Sequence, residues 1–109
     1  MGGVHQISIP PSMYPEIREL LSECSETVEE VSVSPVARDE GVLCKFRCVC
    51  SGGGAVTVLV FRIPPSDEVE ALVEPDCECF FRGARTTSRL YDQIVGRLRR
   101  DAAVHSKKE

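Results

Sequence analysis

Apolar residues recur along this chain with two different periods, and the points where the period changes mark the elements. Residues 1–12 have little periodicity and carry Gly2, Gly3, Pro10 and Pro11, so they read as a flexible lead-in outside the core. Pro15 suits a first helical position, and Tyr14, Ile17, Leu20, Leu21 and Cys24 then recur at helical spacing between Glu16, Arg18, Glu19 and Glu23. The pattern predicts an amphipathic helix of about three turns.

From Val28 the period is two. Val31 and Val33 alternate with Glu30, Ser32 and Ser34 in a half-buried strand that Pro35 confines to an edge or a strand end, and Asp39, Glu40 and Gly41 make the next turn. Over Val42 to Cys50, the face carrying Cys44, Phe46, Cys48 and Cys50 is expected to point inward, opposite Leu43, Lys45, Arg47 and Val49. Ser51 to Gly54 forms a glycine-rich hairpin connection, and Ala55 to Ile63, apolar on both faces, reads as a central strand. Beyond Pro64 and Pro65, Val69, Ala71 and Val73 alternate with Glu70 and Glu74 as a fourth strand that Pro75 ends. Thr86 or Thr87 offers an N-cap for a helix whose apolar face is Leu90, Tyr91, Ile94, Val95 and Leu98. Gly96 weakens that helix or permits close packing. The order predicts an α+β fold: a helix, a four-stranded antiparallel meander and a C-terminal helix packed on the sheet. One domain is expected over 13–103, with 104–109 a disordered tail.

A length of 109 residues with 42% hydrophobic and 28% charged residues suits one folded domain and leaves no room for a second core. No apolar stretch approaches the roughly 20 residues needed to cross a bilayer. The N-terminus has neither a basic nor an apolar signal region, so an intracellular location and six cysteines held as thiols are expected. The net charge of −4 hides an asymmetry: residues 1–81 hold 14 acids and 5 bases, whereas residues 82–109 hold 3 acids and 8 bases. A basic C-terminal quarter suits either a solvated helix end or a nucleic-acid surface built from Arg82, Arg85, Arg89, Arg97, Arg99 and Arg100. The absence of Trp and the small number of other aromatics argue against a single-strand stacking platform.

Catalytic chemistry finds little support. Cys48-Val49-Cys50 and Cys77-Glu78-Cys79 together supply four thiols, but a C-x-C inside a strand separates its side chains by roughly 6.5 Å, and structural zinc sites use wider C-x₂₋₄-C turns. Core packing of these thiols is expected, with no metal and no cofactor. His5 and His105 lie near the termini, where no packed shell is expected to orient them, and the Ser51–Gly54 loop leads into a strand rather than the helix N-terminus a phosphate requires. A non-catalytic protein is the expectation, and surfaces remain. Phe80 and Phe81 diverge in an extended segment, so one ring is left for a patch rimmed by Arg82 and Arg85 and continued by Leu90 and Tyr91, a candidate dock for a peptide. The stripe Tyr14, Ile17, Leu20, Leu21 and Cys24 is expected to cover the sheet and to lie at or near a homodimer interface.

The stretch from Val36 to Cys50 followed by Ser51 to Gly54, and the stretch from Cys79 to Leu98, resemble the RWD-like C-terminal globular domain of the coiled-coil chromosome-segregation subunit of monopolin; the likeness spans about residues 17–100. It implies a nuclear, non-catalytic, homodimeric adaptor that binds short segments of kinetochore and nucleolar ribosomal-DNA-associated proteins through an apolar surface patch.

Overall fold

The structure, a computed structural model, describes residues 5–62, 67–76 and 84–108. Strand β1 (His5–Ile9) is followed by a 3₁₀ turn at Tyr14–Glu16 that runs into α1 (Ile17–Cys24). Then come β2 (Thr27–Val31), a short α2 (Pro35–Asp39), β3 (Val42–Val49), β4 (Ala55–Arg62), β5 (Val69–Pro75) and α3 (Ala84–Lys108). The sheet is antiparallel throughout, in the order β1-β5-β4-β3-β2. Strands β2 to β5 therefore form the expected meander. The fifth strand was not expected.

That strand corrects the reading of 1–12 as a flexible lead-in. Ile7 and Ile9 alternate with Gln6 and Ser8, pair with Ala71 and Val69 across β5, and are 6% and 2% exposed. Met13, just beyond, is fully buried. The hydrophobic return from two isoleucines on the inner face holds a strand that Gly2, Gly3 and the Pro10-Pro11 pair only flank.

One face of the sheet is covered. Helix α3 packs on β1, β5 and β4, and α1 packs on β2, β3 and α3. Val56, Val58, Val60, Phe46, Cys48, Ala71 and Val73 lie in this core with Ile17, Leu20, Leu21, Leu90, Ile94 and Leu98. Cys44 and Cys50 are partly buried against it, as the alternation of β3 requires. Gly52 and Gly53 turn the β3–β4 hairpin at φ +93° and +87°, a backbone region that costs glycine nothing.

Three further departures have local causes. β2 ends at Val31, so Val33 is not part of it; Ser34 instead accepts a hydrogen bond from the Ala37 N–H at 3.1 Å and, with Pro35 at the first position, caps α2. α3 is already helical at Ala84, so Thr87 does not cap it; its hydroxyl serves the sheet. The helix also continues to Lys108 where a tail from residue 104 was expected, because His105 reaches back to Glu16 at 2.7 Å and to Ser12 at 3.0 Å. His5 likewise has a partner, the Tyr91 hydroxyl. Both histidines are thus held by long-range contacts.

Candidate interaction site

A hollow flanked by exposed apolar residues lies where β2, α2 and β3 meet. β2 is the last strand in the sheet order, so among the described residues one side of its backbone has no neighbouring strand. Between β3 and β4 the register slips at Leu43: Val42 pairs with Phe61 and Cys44 with Val60, so β3 spends one extra residue. Such a bulge redirects the side chain it inserts. Glu30, Val31, Ser32, Val33, Arg38, Leu43 and Cys44 line a notch of about 360 Å³.

Two exposed apolar groups stand nearby. Val36, on α2, is 67% exposed, and Tyr14 is 37% exposed. The Tyr14 hydroxyl lies beside the Cys44 thiol; burial first, then its interaction with Cys44, raises the tyrosine pKa above its usual value. Burial likewise raises the Cys44 pKa, which the Tyr14 hydrogen bond partly offsets. Both groups stay neutral around pH 7, so the charge in the notch is that of Glu30 and Arg38, and its surface is more polar than apolar. Glu30 is engaged by Arg18 at 3.5 Å. The Arg38 guanidinium makes no ion pair among the described residues and is left to meet an anion.

The residues singled out from the sequence fall elsewhere. Phe80, Phe81 and Arg82 lie outside the described residues, as do Cys77 and Cys79. Arg85 is exposed, but Leu90 and Tyr91, at 2% and 8% exposure, belong to the core and present no docking surface. A five-residue apolar helix stripe beside a sheet is consumed by that sheet first. On α1, Ile17, Leu20 and Leu21 are 1%, 4% and 0% exposed inside the single chain, as a stripe that covers the sheet requires, which leaves Tyr14 and the half-buried Cys24 at its margins. Cys48 is buried and Cys24, Cys44 and Cys50 partly so, all as thiols. Among the described residues no group of three or more His, Cys, Asp or Glu is placed to hold a metal ion, and no helix is long and apolar enough to cross a membrane.

A second hollow, of about 450 Å³, lies between α1 and α3 beside Cys24 and Gly96. Its central cation is already committed: Arg97 bonds Glu23 at 2.7 Å and Asp101 at 3.2 Å. Among the described residues the elements make a two-layer α+β domain with a notch at the β2 edge and a sheet face turned away from α1 and α3. No family model matches the chain, and no curated protein or solved structure matches it.

Proposed function

We propose that this chain is a non-catalytic protein-interaction module that takes an extended partner segment along the free edge of β2, with an apolar side chain in the notch and an acidic residue on Arg38. The observation that carries this reading is the coincidence, within one short stretch of surface, of a strand edge and a guanidinium that have no partner among the described residues with a notch that Val31, Val33 and Leu43 help to line. Strand addition supplies affinity through the main chain, and the pocket supplies selectivity. The order α1, β2 to β5, α3, with α2 inserted and β1 added at the edge, is compatible with reading the chain as an RWD-like domain, and the sequence resemblance suggests partners among kinetochore or ribosomal-DNA-associated proteins in the nucleus.

The test is selection of peptides from a displayed library, followed by titration and by mapping of amide shifts. Selected peptides should pair apolar with acidic residues and perturb β2 and α2. Arg38→Glu should weaken them by tenfold or more, about 1.4 kcal/mol. Shifts confined to α3 would remove the notch from the function.

A second reading has its own observation. Arg85, Arg89, Arg99 and Arg100 are exposed along α3, a basic stripe of the kind that contacts phosphates, whereas Arg97 is held by acids. Nucleic-acid binding by this stripe would lose affinity with salt at a slope of about −0.9 per phosphate contact, which peptide docking at the notch would not.

A further inference from the structure

The face of the sheet turned away from α1 and α3 carries a charge pattern that is complementary to itself. Register places Lys45, Leu59, Leu72 and Gln6 in one row across β3, β4, β5 and β1. Two residues to either side of Leu72, on the same face, are Glu70 and Glu74. Leu59, Phe61 and Leu72 are only partly buried, as are Lys45 and Arg47. Among the described residues this face thus has an apolar centre on β4, Lys45 and Arg47 on β3 with Glu29 of β2 beside Arg47, and Glu70 and Glu74 on β5. Arg47 is bound to Asp76 at 2.8 Å and Glu70 accepts from Gln6 at 2.9 Å, whereas neither Lys45 nor Glu74 has an ion-pair partner among the described residues.

We infer that this face is covered by a second copy of the chain, sheet against sheet, about a two-fold axis that runs along β4. Rotation about such an axis exchanges the two flanks, so β3 of one copy lies over β5 of the other. Lys45 then stands over Leu72 of the second copy, between its Glu70 and Glu74, and the pairing repeats by symmetry. An axis across the strands would instead lay Lys45 on Lys45 and acid on acid. Packed sheets keep their strands within about 30° of one another at a separation of about 10 Å, a gap a lysine side chain crosses. Five strands of about six residues make a face of roughly 24 by 20 Å, so the two copies bury on the order of 1,000 Å², the lower bound for a specific interface. The homodimer interface therefore lies on the sheet rather than on α1, whose apolar stripe is spent within the chain. The inference is independent of the notch, which lies at the β2 edge.

Light scattering on the full chain tests it. The wild type should have twice the 12.0 kDa chain mass. Lys45→Glu alone, and Glu70→Lys with Glu74→Lys, should each weaken self-association by at least about tenfold, because each variant presents one sign of charge to itself. An equimolar mixture of the two should regain the dimer, each supplying the sign the other lacks. Leu59→Lys, on the axis, should be monomeric with a cooperative urea transition like that of the wild type. A wild type of single-chain mass at every concentration, a dimer indifferent to Lys45→Glu, or a mixture that stays monomeric would each overturn the interface.

Discussion

The Ala55 backbone N–H donates a hydrogen bond to the Thr87 hydroxyl at 3.2 Å, tying the first residue of β4 to the opening turns of α3. The hairpin comes close enough for this because residue 54 is glycine. A Cβ there would sit 2.7 Å from the backbone of both Thr86 and Thr87. The closeness is also seen at Cys50, whose thiol faces the Thr86 carbonyl at 3.9 Å. Gly54→Ala should therefore destabilise by about 1–3 kcal/mol through overpacking against backbone that cannot yield. Thr87→Val should cost about 2 kcal/mol by leaving the Ala55 N–H unsatisfied in a buried site. Gly96→Ala should do the opposite, since a Cβ there meets nothing within 4 Å on an exposed helix face, and the gain should approach 1 kcal/mol. Urea midpoints of the three variants read the signs directly.

Burial pushes the Cys48 thiol from 9.0 up to about 11, against a smaller opposing effect of its hydrogen bond with Ser25. Folding therefore favours the protonated thiol. The stability this contributes is fully present below pH 9 and is lost as pH rises through the folded value near 11, by roughly 3 kcal/mol in all. Burial also raises Cys24, Cys44, Tyr14 and Tyr91, and each adds to the alkaline loss. Urea unfolding in reductant should give a lower midpoint at about pH 10 than at neutral pH, with a shallower fall in Cys48→Ala. Equal midpoints at the two pH values would contradict a buried neutral thiol.

The parts of the fold that follow from local periodicity were legible in the sequence. The alternation of Cys44, Phe46 and Cys48, the Gly52-Gly53 turn and the Leu90 to Leu98 stripe each act over a few residues, and each appears as expected. The strand at Ile7 and Ile9 carried the same period-two signal, but over two residues only, and its worth depends on Val69 and Ala71 some 60 residues away. Ser34-Pro35 is an N-cap followed by a favoured first helical residue, a signal for α2 that the neighbouring valine alternation masked. Surfaces were harder. Leu90 and Tyr91 are apolar whether they dock a peptide or fill a core, and only the packed sheet decides between the two. The notch needs Tyr14 beside Cys44 and a register slip at Leu43, neither of which has a local sequence signature.

Arg47 donates from Nε to Asp76 Oδ2 at 2.8 Å, linking β3 to the end of β5 across β4, and the Asp76 side chain is only 13% exposed. A charge-assisted bond to a mostly buried carboxylate is worth more than an exposed pair. Asp76→Ala should cost about 1–2 kcal/mol in thermal or urea unfolding. Asp67→Ala removes the Arg62 pair, at 3.9 Å with a fully exposed carboxylate, and should leave the midpoint unchanged. Similar losses in both variants would mean that the Arg47 link is no stronger than a surface contact.

Strand β1 makes the sharpest distinction between a lead-in and a structural element. Ile9 is 2% exposed, faces the core beneath α3 and pairs with Val69, while its neighbour Ser8 lies on the other face, exposed, opposite Glu70. A lead-in outside the core would tolerate both truncations equally. A paired strand would not, because side chains one residue apart face opposite ways. Ile9→Ala should lose about 2–5 kcal/mol, the transfer energy of the removed carbons plus the cavity they leave. Ser8→Ala should stay within about 0.5 kcal/mol of the wild type. Amide exchange should give the same pattern, with protection across 5–9 in the wild type that collapses in Ile9→Ala and survives in Ser8→Ala. Near-zero effects at both positions, with fast exchange throughout 5–9, would return this segment to the lead-in its flanking glycines and prolines suggested.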